Sequence, residues 1–479
     1  MNKKTISYLR LAVCLAFVIT LLIGMAAPSL ASNQMNSTNA LVGTEQNPAN
    51  AAITKCLAMG QETTTPGVTF TFQIAKVSLN DQTTTEALAA MPVIGNPSGG
   101  NNGTLTVNYT SADVYNAGNN MTARANQTDY LYKETQTLFP STVQWTRTGI
   151  YVYRVTELTI PTYYIQDATR ETLTYSKAQY DIVVYVAAKA NGTGFYVWAI
   201  GAYPILNDEG TQTGSTVGNP SGKVNPQPGG PTGGGGGGGV GNGPYSRMIF
   251  TNKYLRHGSD NPPVNPNTDH KFRISKAVTS IGADSALYFN FDVTIQKPVI
   301  STKTNYRVYV YEGTSTTPLA YNQITANVQN QTLLNYSGYI DMPIGTTVRF
   351  MLKHNQYLAF TNIDAGATYI INELGTQYYT PSYTLTKGGV AAGTQTATSE
   401  GGSLSTPTTP AVVISISPTN AWIDKADFSN KYRDIIPTGI AVNDLPFITM
   451  IAIAAIGLGG YLFFRIRSHK KDEVAVEAN

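Results

Sequence analysis

The chain has 479 residues, a formal net charge of only +3 and 13% charged residues, which argues against nucleic acid as a partner. Its two cysteines, Cys14 and Cys56, cannot staple a small secreted domain, because Cys14 lies in a leader that processing would remove. Thirty tyrosines, abundant Thr and Val and 44 glycines, without long helical patterns in the body of the chain, favour antiparallel strands.

Residues 1–31 read as a secretory signal: Lys3, Lys4 and Arg10, an apolar run from Leu11 to Ala27, then Ser29-Leu30-Ala31. Val13 before Cys14 makes a poor lipid-attachment site. Residues 32 to about 50 are polar and are expected to form a disordered leader. Strand-like alternation follows over Gly67–Ile74, Ile150–Glu157, Tyr180–Val186 and Phe195–Ile200, separated by Gly, Asn, Pro and Ser clusters. Residues 228–244 are glycine-rich, with an unbroken run from Gly233 to Gly239. The stretch reads as a flexible spacer; it lacks the Gly-Lys-Ser/Thr ending of a phosphate-binding loop. The Pro- and Asn-rich stretch His257–Asp269 marks a domain boundary. A second unit then repeats the layout, with strands expected at Phe272–Val278, Tyr288–Val293, Tyr306–Tyr311, Thr347–Leu352, Tyr369–Glu373 and Ala411–Ile416. Pro446–Phe464 is apolar and uncharged, long enough to cross a bilayer, and Arg465, Arg467, Lys470 and Lys471 follow on the cytoplasmic side. The expected organisation is a signal peptide (1–31), a first domain (32–254, with the insertion at 228–244), a second domain (255–434), and a terminal helix with basic tail (435–479).

Two short strings nearly repeat. Phe250-Thr251-Asn252-Lys253-Tyr254 closes the first unit and Phe428-Ser429-Asn430-Lys431-Tyr432 the second; Ile53-Thr54-Lys55 and Ile274-Ser275-Lys276 open them. A glutamate sits between, Glu157 and Glu373. Side chains alternate along a strand, so each Lys, Glu and Asn falls on an otherwise apolar face: Lys55 with Ile53 and Leu57, Glu157 with Tyr153 and Val155, Asn252 with Phe250 and Tyr254. The same holds for Lys276, Glu373 and Asn430. A single such lysine would ordinarily be a solvated strand residue, but the order Lys, Glu, Asn recurs at similar Lys-to-Glu separations of 102 and 97 residues. Burial drives an amine and a carboxyl towards their neutral forms. A neutral amine can attack a carboxamide that a neutral carboxyl polarises, expelling ammonia and leaving a Lys–Asn amide.

These residues, with Thr69-Phe70-Thr71-Phe72 and Gly149-Ile150-Tyr151-Val152-Tyr153-Arg154-Val155-Thr156-Glu157, resemble the streptococcal pilin isopeptide-linkage family, the two-domain backbone pilins of Gram-positive bacteria. The resemblance implies an all-β chain of two tandem Ig-like (inverse-Ig, CnaB-like) β-sandwich domains. It implies bonds Lys55–Asn252 and Lys276–Asn430, catalysed by Glu157 and Glu373. It further implies a sortase signal in Ile436-Pro437-Thr438-Gly439, cleaved after Thr438, although Ile435 stands where these pilins carry Glu or Gln. Lys223, in Ser221-Gly222-Lys223-Val224, is the expected inter-subunit nucleophile, here separated from Phe250 by the glycine-rich insertion. The implied partners are sortase, neighbouring pilin subunits, cell-wall peptidoglycan and a host surface ligand; the implied location is the cell wall and surface. The rival is a non-polymerising wall-anchored adhesin or minor, basal pilin.

The remaining signals are weak. Cys56 alternates to the face opposite Lys55 and reads as a buried or semi-exposed thiol. Asn102, Asn126 and Asn191 head glycosylation-type triplets of a kind that Asn- and Thr-rich chains produce by chance. His257, His270 and His354 show no metal-ligand spacing, and no catalytic elbow or zinc helix is present. The reading therefore includes no metal, no cofactor and no turnover of an external substrate.

Overall fold

The computed structural model describes residues 41–99, 102–115, 127–159, 164, 166–167, 169–217, 222–229, 245–259, 271–415, 424–433 and 445–476. The signal peptide, most of the glycine-rich stretch and the motif Ile436-Pro437-Thr438-Gly439 lie outside the described residues.

The first body contains β1 (Leu41–Val42), β2 (Thr54–Gly60), β3 (Val68–Leu79), β4 (Asn96–Pro97), β5 (Asn102–Tyr109), β6 (Thr128–Glu134), β7 (Gly149–Glu157), β8 (Glu171–Thr174), β9 (Gln179–Ala188), β10 (Phe195–Leu206) and β11 (Ile249–Arg256). They form a seven-stranded sheet, β1-β10-β9-β7-β3-β5-β4, facing a four-stranded sheet, β6-β2-β11-β8. Alternation explains the layering: β3 buries Val68, Phe70, Phe72 and Ile74 and leaves the intervening residues half-exposed. Those side chains meet Leu57, Tyr153, Val155 and Phe250 in one core.

The second body contains β12 (Phe272–Thr279), β13 (Phe289–Gln296), β14 (Asn305–Glu312), β15 (Leu334–Asn335), β16 (Tyr339–Pro343), β17 (Val348–Leu352), β18 (Gln356–Phe360), β19 (Thr368–Glu373), β20 (Tyr379–Lys387), β21 (Val390–Thr396), β22 (Leu404–Ser405), β23 (Val412–Val413) and β24 (Asp424–Tyr432). An eight-stranded sheet, β15-β16-β14-β18-β12-β24-β20-β21, faces β17-β13-β19-β22, with β23 also on β19. Phe291, Val293, Tyr369, Ile371 and Phe428 lie in its core.

In each body the first and last long strands pair in parallel, β2 with β11 and β12 with β24. Parallel neighbours need a long crossover; here the whole sandwich is that crossover. The bodies meet where the first ends: Ala365 N–H donates to the Arg256 carbonyl at 2.9 Å and Gly258 N–H to that of Ile363 at 2.9 Å. Ala58, Leu255 and Ile300 close an apolar contact there, which is one reason β2 is buried on both faces.

Two expectations are corrected. The stretch up to residue 50 is not a free leader from 41 onward: Leu41 and Val42 add an edge strand to β10, and Ala49 is buried with its N–H on the Val197 carbonyl. Alanines and one leucine suffice because they only cover an existing sheet edge. Of the strand expected over Ala411–Ile416, the described residues 411–415 form only the two-residue strand Val412–Val413, which pairs with β19; Ile416 lies outside the described residues. The helix Leu445–Val476 carries a 23-residue span, Pro446–Ser468, of mean hydropathy 2.1, long and apolar enough to cross a membrane and not buried by any of the described residues.

Candidate functional site

Parallel pairing puts Lys55 opposite Phe250 and Leu57 opposite Asn252. Lys55 and Asn252 therefore stand two residues apart on the same inward face. Glu157 ends β7 in the facing sheet, opposite Phe72 of β3, and reaches across the core. Lys55 Nζ donates to Glu157 Oε2 at 2.7 Å, and Asn252 Nδ2 donates to Glu157 Oε1 at 2.7 Å. Both ionisable side chains have no solvent exposure. Apolar rings close the site: the Phe70 ring lies 4.5 Å from Nζ, and Phe250 packs between Phe72 and Tyr180. Tyr109 fixes the Lys55 backbone, its hydroxyl donating to the Lys55 carbonyl at 2.9 Å.

The second body repeats this register. Lys276 faces Phe428, Val278 faces Asn430, and Glu373 faces Phe291. Lys276 Nζ and Asn430 Nδ2 each donate to Glu373 at 2.7 Å, with no exposure of the Lys or Glu side chain. Phe289 lies 4.3 Å from Nζ and Phe291 packs on Phe428. One detail differs. Both donors use Glu373 Oε1, and among the described residues Glu373 Oε2 and Asn430 Oδ1 have no partner, whereas in the first cluster Asn252 Oδ1 accepts from Ser176 N–H at 2.7 Å.

Desolvation dominates the electrostatics. Burial lowers the Lys55 pKa and raises that of Glu157, more than their mutual attraction opposes either change. Burial likewise brings Lys276 down to about 8 and pushes Glu373 up. In both clusters the environment works towards a neutral amine beside a neutral acid. Such a pair can do nucleophilic chemistry on the adjoining carboxamide.

Lys223 is buried rather than a solvated loop lysine. Its Nζ lies 5.5 Å from the Tyr203 ring centroid, and Val224 N–H bonds to the Ala202 carbonyl on β10. Desolvation lowers its pKa. Cys56 is buried on the far face of β2, and burial pushes its thiol up to about 12, so it is not a thiolate nucleophile. His354 has a local structural role, its Nδ1 accepting from Val278 N–H at 2.9 Å. The residues that sequence reasoning missed are Ser176 and Asp208, which contact Asn252 through the backbone and through each other. A serine two residues beyond a four-residue strand carries no periodic signal.

Residues 270–400 match a family described only as a domain of unknown function (DUF7601). No curated protein matches the chain. Among solved structures, it is similar to the major pilin from Streptococcus pyogenes at 18% identity and a TM-score of 0.28, over 81% of this chain and 100% of that one. It is also similar to the major pilin protein T-13 from Streptococcus pyogenes at 15% identity and a TM-score of 0.26, over 83% of this chain and 100% of the other. A pilus-presented adhesin, Spy0125 (Cpa), aligns at 9% identity and a TM-score of 0.21, over 79% of this chain and 100% of its own.

Proposed function

We propose that this chain is a cell-surface pilus subunit whose two sandwiches each lock themselves with a Lys–Asn amide, and which sortase polymerises and anchors to the wall. The observation that carries the reading is the duplicated buried trio: Lys and Asn on the parallel first and last strands, Glu from the facing sheet, in the same register twice. In the first cluster neutral Lys55 Nζ attacks the Asn252 carboxamide carbon. A proton from Nζ passes to Glu157, and Glu157 returns one to Nδ2 as the C–N bond breaks. One N–C bond forms, one breaks, ammonia leaves and Glu157 is regenerated. Lys276, Glu373 and Asn430 perform the same exchange. A dry core keeps water from reversing it, and the chain turns over no external substrate.

The rest of the reading concerns assembly. Sortase would cleave between Thr438 and Gly439 and pass the Thr438 acyl group to an amine, Lys223 of the next subunit or peptidoglycan at the base. The lowered pKa of Lys223 supports a nucleophilic role, and the terminal helix supports retention at the membrane until cleavage. The decisive experiment is the intact mass of region 32–434 beside Glu157→Ala and Glu373→Ala variants. A deficit of two ammonia masses, with one restored in each variant, is the expected result; a full mass in the folded wild type would sink the reading. A detergent-resistant ladder of cell-wall extracts that disappears in Lys223→Ala is expected of a polymerising subunit. A single wall-linked band would instead favour the non-polymerising adhesin.

A further inference from the structure

We propose that the backbone N–H of Ser176, held in place by the Asp208 carboxylate, is an oxyanion donor for amide formation at Asn252, and that the second cluster has no counterpart to it. This rests on the amide-forming reading of the same cluster.

The geometry begins where β8 leaves the ladder. β8 pairs with β11 only as far as Thr174 opposite Lys253. The chain then turns inward, so Ser176 N–H donates not to a strand carbonyl but to the side-chain oxygen of Asn252 at 2.7 Å. A backbone N–H can only donate, so this contact fixes which end of the carboxamide is which. Oδ1 faces Ser176, and Nδ2, the group that must leave, faces Glu157. When Lys55 attacks, negative charge develops on Oδ1, already 2.7 Å from a fixed donor inside a water-free core. A donor so placed acts in the transition state without reorganisation. Collapse of the adduct restores the carbonyl and expels ammonia.

Asp208 holds this arrangement from both sides. Its Oδ1 accepts from Ser176 Oγ at 2.5 Å and from Thr251 N–H at 2.9 Å, the residue just before Asn252. Ser176 Oγ also accepts from Ala178 N–H at 3.0 Å, closing the turn. One carboxylate therefore ties the donor's residue to the acceptor's strand. Asp208 touches no reacting atom; it is a positioning residue.

The second cluster shows the contrast in the same register. β20 stays in the ladder with β24 from Tyr379 to Thr386, and Pro381, which has no N–H, stands opposite Asn430. Among the described residues no group donates to Asn430 Oδ1. The partnerless Glu373 Oε2 is the group left to supply one, as its protonated O–H.

The test follows closure of each amide separately, by peptide mass spectrometry, during cell-free synthesis of the full chain with detergent micelles for the terminal helix. Ser176→Pro removes the donor and should slow Lys55–Asn252 closure about 100-fold. Asp208→Ala should slow it about tenfold through misplacement, and Asp208→Asn, which keeps an acceptor oxygen, should recover most of the rate. Lys276–Asn430 closure in the same molecules is the internal reference and should not change. Each variant is also made with Glu157→Ala, where closure is blocked, and its protease resistance shows whether the first sandwich still folds. Unaltered first-cluster closure in a folded Ser176→Pro chain overturns the donor role. Asp208→Asn as slow as Asp208→Ala overturns the positioning role. If Ser176→Pro does not fold, the Asp208 pair decides alone. A wild-type chain that never loses ammonia fails at the amide-forming reading instead.

Discussion

The two clusters share residues, register and distances, yet they relate differently to the rest of the chain. In the second sandwich the Lys276–Asn430 link would join the strand where the body begins to the strand where it ends, and no residue proposed for assembly lies between them. In the first, Lys223 lies inside the loop that Lys55–Asn252 would close. In the proposed fibre, tension between Lys223 and Thr438 would reach Asn252 directly along the chain through the glycine-rich stretch, then pass to Lys276 and across the second amide. The second link would thus be in series with the load, and the first would not. The same proposed chemistry would serve tension in one body and thermodynamic closure in the other.

Stretching single molecules between a handle at residue 223 and one at residue 434 gives the largest expected effect. Glu373→Ala should add an unfolding event of about 500 Å, the contour of the roughly 150 residues that the second link would otherwise hold. Glu157→Ala should add no new length, because the direct path from 223 to 252 is the shorter in either case. Equal added lengths in the two variants would refute the load path. In heat the order should differ: each link closes a loop of well over 100 residues and should contribute about 5 kcal/mol by analogy with a disulfide. Both variants should then melt earlier by comparable amounts in calorimetry.

Much of this comparison was readable in the chain. The trios stand out in the sequence because β7, β11, β12, β19 and β24 alternate, so a polar residue on the apolar face is conspicuous; β2 is buried on both faces, and Lys55 is legible mainly through its parallel with Lys276. β6 escapes a reading by alternation because Tyr130-Leu131-Tyr132 presents no polar residue between its apolar ones, whereas β5 and β20 do alternate, over Leu105–Tyr109 and Tyr383–Thr386, and lie outside the strands expected from the sequence. Ser176 was invisible for a different reason: its contribution is a backbone N–H, and only the departure of β8 from its ladder turns that group towards Asn252. The edge strand at Leu41 was hidden by a polar, alanine-containing surrounding that reads as unstructured until a sheet edge is there to receive it.

The pH response should sharpen the contrast between the clusters. The reactive pair is the one in which Lys and Glu hold a single proton in place of the two that a fully protonated pair would carry. Lys276 has its pKa lowered to about 8 by burial. Above that pH the pair loses its shared proton, leaving no acid for the leaving ammonia, so Lys276–Asn430 closure should slow as pH rises through about 8. Below the raised pKa of Glu373 the pair gains a second proton, the amine is charged, and closure slows again. The profile is a bell. Both clusters need the acid proton for the leaving ammonia, so both limbs should fall; with Ser176 N–H still supplying the oxyanion contact, the first cluster loses one function there and the second loses two, so the first should level off at a higher residual rate. Equal residual rates in a pH series of peptide-resolved closure rates would argue that the Ser176 contact is not used.

The smallest effect concerns the rings. Lys276 Nζ has two aromatic neighbours, Phe289 at 4.3 Å and Phe291 at 5.7 Å, whereas Lys55 has Phe70 at 4.5 Å. A ring face favours the ammonium over the amine by about 0.5–2 kcal/mol, so these phenylalanines hold the lysine pKa above the value that burial alone would set. Phe289→Leu keeps the site apolar but removes the nearer ring. The alkaline limb for the second cluster should then move below 8 by up to about one pH unit, with closure at neutral pH changed less than tenfold. An unmoved limb would mean that Phe289 only fills space. The substitution also separates two roles that burial otherwise merges: excluding water, which leucine preserves, and tuning the amine, which it does not.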